Sequence, residues 1–176
     1  MKVLIIKGSP RKNGVTSQLA DSFRLGAVDS KNDVEEIYLI NQKINDCLGC
    51  SKCQMTKKCI QNDDMLKIYD KIIQSDVIVL ASPVYFYSWT SIMKRFLDRT
   101  YALISELKDK DFYLLSAGAA PDISYMDTMV NSFKEYVSVF DNCRVKDFFF
   151  AFDADNFNKK KSVMLENVYN MGLKIR

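Results

Sequence analysis

Three short unbroken apolar runs, Val3–Ile6, Val77–Ala81 and Phe112–Leu115, constrain this chain more than any other feature. A strand with one wet face alternates apolar and polar residues, whereas a run without alternation belongs to a strand covered on both faces. Val34–Ile40 and Val145–Phe152 add two further strands, and Glu35 and Glu36 suit the first of these to a position near the sheet edge. Between the strands the apolar residues move to helical spacing. Val15, Leu19 and Phe23 form one stripe, and Met65, Leu66, Tyr69, Ile72 and Ile73, behind a capping Asp63, form a second. A long helix is expected over Ile92–Leu107, another after Pro121 and Asp122 with its stripe from Met126 to Phe140, and a last one over Val163–Leu173. Strands that alternate with helices are joined by crossovers and therefore run parallel. The expectation is an α/β chain with a doubly wound five-stranded parallel sheet, order 2-1-3-4-5, and helices on both faces. At 176 residues a single domain over 1–176 is expected.

Such sheets bind ligands beyond the C-terminal ends of their strands, where strands one and three diverge. The chain places its two chemically richest loops there. After the first strand comes Gly8-Ser9-Pro10-Arg11-Lys12-Asn13-Gly14, which runs into a helix whose first turn holds Thr16 and Ser17. The first turn of a helix has unpaired N–H groups and a partial positive charge, so this loop reads as an anion site, most simply for a phosphate. It has neither the Gly-Lys-Ser/Thr of a Walker loop nor a G-x-G-x-x-G fingerprint. A plain βα turn with solvated charges is the competing reading. After the third strand comes Ser82-Pro83-Val84-Tyr85-Phe86-Tyr87-Ser88-Trp89. Its aromatics suit a flat apolar ligand, or equally a core or a subunit contact.

The chain contains no histidine. That excludes a Ser-His-Asp triad, a Cys-His pair and histidine-ligated zinc. A net charge of +3 gives no reason to expect nucleic acid. The N-terminal apolar run ends at Lys7, too short for a signal peptide, and no run is long enough to span a membrane. A cytoplasmic protein is expected, with neither nucleic acid nor membrane as partner. Cys47, Cys50, Cys53 and Cys59 give C-x2-C-x2-C-x5-C within a segment at about 45–62. Three readings compete for it: a four-thiolate iron–sulfur site, free thiols, or zinc and disulfides. Arg95 and Arg99 are expected on the helix surface or at a subunit contact.

The loops GSPRKNGVT and SPVYFYSWTSIMKRFLDR, with the cysteine segment and Asp63-Asp64-Met65 behind it, resemble the NADPH-dependent FMN reductase family. Within it they look most like the iron–sulfur flavoproteins. The resemblance covers Met1 to about Tyr101 and implies a flavodoxin-like fold. It implies that Ser9, Arg11, Asn13, Thr16 and Ser17 surround an FMN phosphate. It further implies that Pro83, Val84, Tyr85 and Phe86 lie along the isoalloxazine ring, with Ser116 and Gly118 near its pyrimidine side. Cys47, Cys50, Cys53 and Cys59 would hold a [4Fe-4S] cluster. The implied activity is FMN-dependent oxidoreduction between NAD(P)H and a small-molecule or protein electron acceptor. No side chain need act as acid or base, because the chemistry is at flavin N5, and a homodimer or homotetramer is expected. Two other classes share the topology. A flavodoxin-type electron carrier would lack NAD(P)H turnover. A response-regulator-like module needs an acidic pocket, where Lys7 and Arg11 supply the opposite charge.

Overall fold

A computed structural model describes residues 1–176. Strands β1 (Lys2–Lys7), β2 (Asp33–Tyr38), β3 (Val77–Pro83), β4 (Asp111–Ala117) and β5 (Arg144–Ala151) form one sheet in the order β2-β1-β3-β4-β5. Every pairing is parallel. The three unbroken runs occupy the centre, and the two mixed runs take the edges. Successive side chains on a strand point to opposite faces, so each central strand feeds two cores. Leu4, Ile6, Ile78, Leu80, Phe112 and Leu114 face α3 (Met65–Gln74), α4 (Ser91–Arg99) and α5 (Asp127–Ser138). Val3, Ile5, Val77, Val79, Tyr113 and Leu115 face α1 (Val15–Asp29) and α6 (Phe157–Leu173). Helix α2 (Lys52–Thr56) lies in the cysteine segment.

Helices α1 and α6 pack with their backbones almost touching. A Cβ on Gly172 would stand 2.2 Å from the Phe23 carbonyl oxygen, and one on Gly26 would stand 2.0 Å from that of Tyr169. Only glycine at both positions permits that approach. The close fit fixes α1, and with it the loop that precedes α1.

Several expected boundaries move, among them the start of α5, which follows a 3-10 turn over Ile123–Met126. The helix expected to reach Leu107 stops at Arg99 and continues as a 3-10 turn over Thr100–Leu103. The Thr100 hydroxyl donates back to the Leu97 carbonyl at 2.6 Å, a contact that competes with the α-helical ladder. The last helix begins at Phe157 rather than Val163, because Phe157 packs into the core beneath the polar stretch Asn158–Lys161 that masks the stripe. Strand two ends at Tyr38, and Leu39–Asn41 form a 3-10 turn leading into the cysteine segment.

Candidate functional site

The loops after β1 and β3 meet at the C-terminal edge of the sheet. A cleft of about 280 Å³ between them is lined by Ser9, Arg11, Thr16, Pro83, Val84, Tyr85 and Gly118, together with Gly14, Val15, Ala117, Ala119, Ala154 and Asp155. A second opening of about 410 Å³ adjoins it, shares Arg11, Gly14 and Val15, and adds Asn13 and Gln18. Eight of the residues expected around a flavin are therefore brought together. Ala154 and Asp155, from the turn after β5, complete the wall, and no local sequence signal marks them.

The anion end is built from backbone. Gly14 is the N-cap of α1 and no side chain caps that helix, so its first-turn N–H groups carry no side-chain partner. The loop is braced from within. Ser9 Oγ accepts from the Arg11 N–H at 3.2 Å, and the Ser9 and Ser17 hydroxyls donate to the Arg11 carbonyl at 3.1 and 3.0 Å. These bonds fix the backbone at Arg11 and leave its exposed side chain without an ion pair. Ser17 thus supports the loop and does not line the cleft. Asp155 is the one acidic residue in the wall.

Lys7 does not add to this positive end. Its ammonium is buried and lies 2.5 Å from Asp21, 2.6 Å from Glu36 and 2.8 Å from the Tyr38 hydroxyl. Burial works against the Lys7 charge, but hydrogen bonds to Asp21, Glu36 and Tyr38 outweigh it and raise its pKa above the ordinary value.

The apolar end comes from the loop after β3. Tyr85 and Ser88 exchange backbone hydrogen bonds of 3.0 and 3.1 Å around Phe86 and Tyr87, whose φ angles are 47° and 65°. This is a two-residue hairpin turn that favours Asn-Gly, here made by two aromatics in the left-handed region. Phe86 is 99% exposed at the tip, whereas Trp89 is buried and donates to Ser132 at 2.8 Å. Ser116 is fully buried, and its hydroxyl donates to the Ser82 carbonyl at 2.6 Å, so it joins β4 to β3 and does not face the cleft.

One residue absent from the sequence reading couples the two loops. Thr90 is the N-cap of α4 and accepts from the Met93 N–H at 3.1 Å, while its hydroxyl donates to the Gly8 carbonyl at 2.8 Å. A threonine just before the Ile92 stripe is a recognisable N-cap signal. Its long-range partner is not recognisable from sequence.

The cysteine segment leaves the body after the 3-10 turn Leu39–Asn41 and returns at Asp63. Left-handed residues at Gly49, Ser51 and Lys57 fold it tightly around α2. No disulfide joins the four cysteines, and all four line one cavity of about 50 Å³ with Arg99 and Tyr101. No three metal-ligating side chains converge closely enough for a single metal ion. The four thiols lie around a common cavity, and a four-cysteine donor set is one that both iron–sulfur clusters and zinc accept.

Arg99, expected at the surface, is instead buried. It lies at 2.6 and 3.1 Å from the two carboxylate oxygens of Asp63, 2.9 Å from the Asn45 carbonyl and 3.5 Å from Cys59 Sγ. Burial disfavours both charges, but the mutual hydrogen bonds outweigh it, lowering the Asp63 pKa and raising that of Arg99. A buried arginine is stable where its planar fork meets a carboxylate, and Asp63 supplies one. Arg95 remains on the surface, paired with Asp46 at 2.8 Å.

The chain is similar to several known flavin-related proteins and folds. An iron-sulfur flavoprotein of Archaeoglobus fulgidus is 40% identical over 99 residues, which are 56% of this chain and 45% of the relative. One from Methanocaldococcus jannaschii is 36% identical over 103 residues, 58% of this chain and 53% of the relative. The matched segments thus span about half the length of these relatives. An azoreductase from Bacillus anthracis superposes with a TM-score of 0.78 at 14% identity, covering 99% of this chain and 100% of the other. An NAD(P)H:quinone oxidoreductase from Methanothermobacter marburgensis gives 0.79 at 13% identity, covering 98% and 94%. Those two likenesses establish the flavodoxin-like fold. The model of the NADPH-dependent FMN reductase family matches residues 1–154, and the chain belongs to that family.

Proposed function

We propose that this protein is an FMN-dependent oxidoreductase that takes electrons from NAD(P)H and passes them to a small-molecule or protein acceptor. The observation that carries this reading is the cleft between the loops after β1 and β3, with an uncapped helix N-terminus and an unpaired Arg11 at one end. A dianionic phosphate suits that end. Pro83, Val84 and Tyr85 offer an apolar wall for a flat ring, and Gly118 lets the β4 loop approach its edge. Bound FMN supplies hydride and single-electron chemistry at N5. The residues around it hold, orient and shield it, and none is needed as an acid or base. Asn13 and Thr16 add polar contacts at the phosphate end. Ser17 and Ser116 act one step away, by fixing backbone.

The four cysteines are proposed to hold one [4Fe-4S] cluster. Their spacing, their common cavity and the names of the similar proteins support it. A flavodoxin-type electron carrier without NAD(P)H turnover remains the second reading, favoured by the topology alone. The cysteine segment counts against it.

Purification without oxygen, followed by a visible spectrum, FMN titration and iron and sulfide analysis, tests the proposal. Flavin bands or FMN binding at micromolar concentration or tighter, on the order of ordinary cofactor affinities, is the expected result. Failure to bind added FMN would sink the flavin reading. About four irons and four sulfides per chain, lost on replacing any of the four cysteines by alanine, is expected for Cys₄ ligation. Turnover of NADPH or NADH distinguishes the enzyme from the carrier.

A further inference from the structure

The cysteine segment is long and exposed, yet its two ends converge on one buried side chain. Arg99 Nη1 donates to the Asn45 carbonyl at the start of the segment and to Asp63 Oδ2 at its end. Nη2 donates to Asp63 Oδ1 and to Cys59 Sγ. The same carboxylate accepts from the Asn45 and Met65 N–H groups at 2.9 and 3.1 Å, closing the stem. The guanidinium lines the cavity shared by the four cysteines. Its Nε is buried without a hydrogen-bond partner. A fully buried polar atom left unpaired beside a ligand cavity is uncommon in a stable fold. Arg95, one helical turn earlier on α4, bonds Asp46 and thereby adds a second, exposed tie to the same stem.

We infer that Arg99 is the positioning residue of the cysteine segment: one buried guanidinium ties both ends of residues 45–62 to α4 and holds Cys59 Sγ in place within the cavity. The contact to sulfur gives it a second consequence, which rests on the proposal that these thiolates hold an iron–sulfur cluster. One-electron reduction adds negative charge to a cluster already surrounded by four thiolates. A fixed positive charge and an N–H donor at one sulfur stabilise the reduced form, and hydrogen bonds to the sulfurs are among the factors that set such potentials. Arg99 therefore raises the cluster's potential. The three lysines of the segment, Lys52, Lys57 and Lys58, are exposed, so solvent screens them and they cannot replace it.

The full chain, purified without oxygen, is compared with Arg99→Gln and Arg99→Lys. Two measurements are made: amide hydrogen exchange along the chain, and a dithionite titration of the iron–sulfur centre followed by electron paramagnetic resonance. Both variants are expected to speed exchange at least tenfold within 45–62 and to leave the central strands unchanged. Arg99→Gln is expected to lower the midpoint potential by at least a tenfold shift in the oxidised-to-reduced ratio, about 59 mV for one electron. Arg99→Lys, which keeps the charge without the fork, recovers part of that shift but not the protection. FMN affinity stays within twofold, since Arg99 does not line the flavin cleft. If the single variants do not fold, the double variant Arg99→Met, Asp63→Leu removes the pair without leaving a lone buried charge and takes the same measurements. Unchanged exchange in 45–62, or protection lost uniformly over the whole chain, overturns the inference. An unchanged potential in Arg99→Gln overturns its electrostatic half. Iron-free wild-type protein from a cluster-competent host refutes the cluster proposal instead, and exchange alone then decides the positioning role.

Discussion

Thr90→Val is the sharpest test of how the cofactor cleft is assembled. The substitution keeps the shape of the side chain and removes only its hydroxyl. Two buried hydrogen bonds go with it: the cap accepted from the Met93 N–H and the donation to the Gly8 carbonyl. Loss of a threonine cap costs about 0.5–2 kcal/mol. A buried carbonyl left without a partner costs about 1–3 kcal/mol more, and Gly8 is covered by Met93, which stands 2.8 Å from where a Gly8 Cβ would be, leaving little room for water. Allowing for non-additivity, the expected loss is about 2–4 kcal/mol, which for a chain of this size lowers Tm by roughly 5–15 °C. Thermal unfolding followed by circular dichroism on flavin-free protein reads it. FMN titration of the same variant should show weaker binding, because the bond joins the two loops that form the cleft. Thr90→Ser keeps the hydroxyl and should recover most of the stability. A Thr90→Val protein within about 0.5 kcal/mol of wild type, the ordinary scatter of a surface substitution, would refute the coupling argument.

Three further outcomes follow from other parts of the molecule. Arg11→Ala should weaken FMN by on the order of tenfold to a hundredfold, the worth of one charge-assisted hydrogen bond, and riboflavin hardly at all; equal losses in calorimetric titration would show that Arg11 does not read the phosphate. Tyr87→Gly relieves an aromatic residue at φ 65° and should raise stability by about 1 kcal/mol in denaturant unfolding, while loosening the flavin-facing loop and weakening FMN. No gain in stability would mean that the turn relaxes without cost. Lys7 has a raised pKa in the folded protein, so its ion cluster stabilises fully below the ordinary value of 10.5 and loses that contribution as pH rises through the folded value. The stability difference between wild type and Lys7→Met should therefore stay flat from pH 7 to about 10 and shrink above it; a difference that already changes near neutrality would point to another group.

Local patterns wrote the fold and the outline of the cleft. The unbroken runs set which strands are central, and each of them divides its residues between both cores. The turn chemistry of Gly8–Gly14 marked the anion end, and cysteine spacing marked the segment proposed to hold a cluster. These signals act over a few residues, so they survive in the one-dimensional sequence. Partner choice does not. Arg95 and Arg99 sit on the same helix four residues apart and read alike, yet one is solvated and the other buried, because only Arg99 meets the Asp63 carboxylate when the stem of the cysteine segment closes. Lys7 read only as positive charge at the end of the first strand, whereas Asp21 and Glu36 come alongside it from α1 and β2. Ser116 looked like a cofactor contact and became a tie between strands, while Thr90 reached back 82 residues to the Gly8 carbonyl. A buried charge or hydroxyl is stable only with a partner at hydrogen-bond distance, and that partner is supplied by whichever distant segment the sheet brings alongside. The sequence carries the need for such a partner, and the tertiary structure decides which residue meets it.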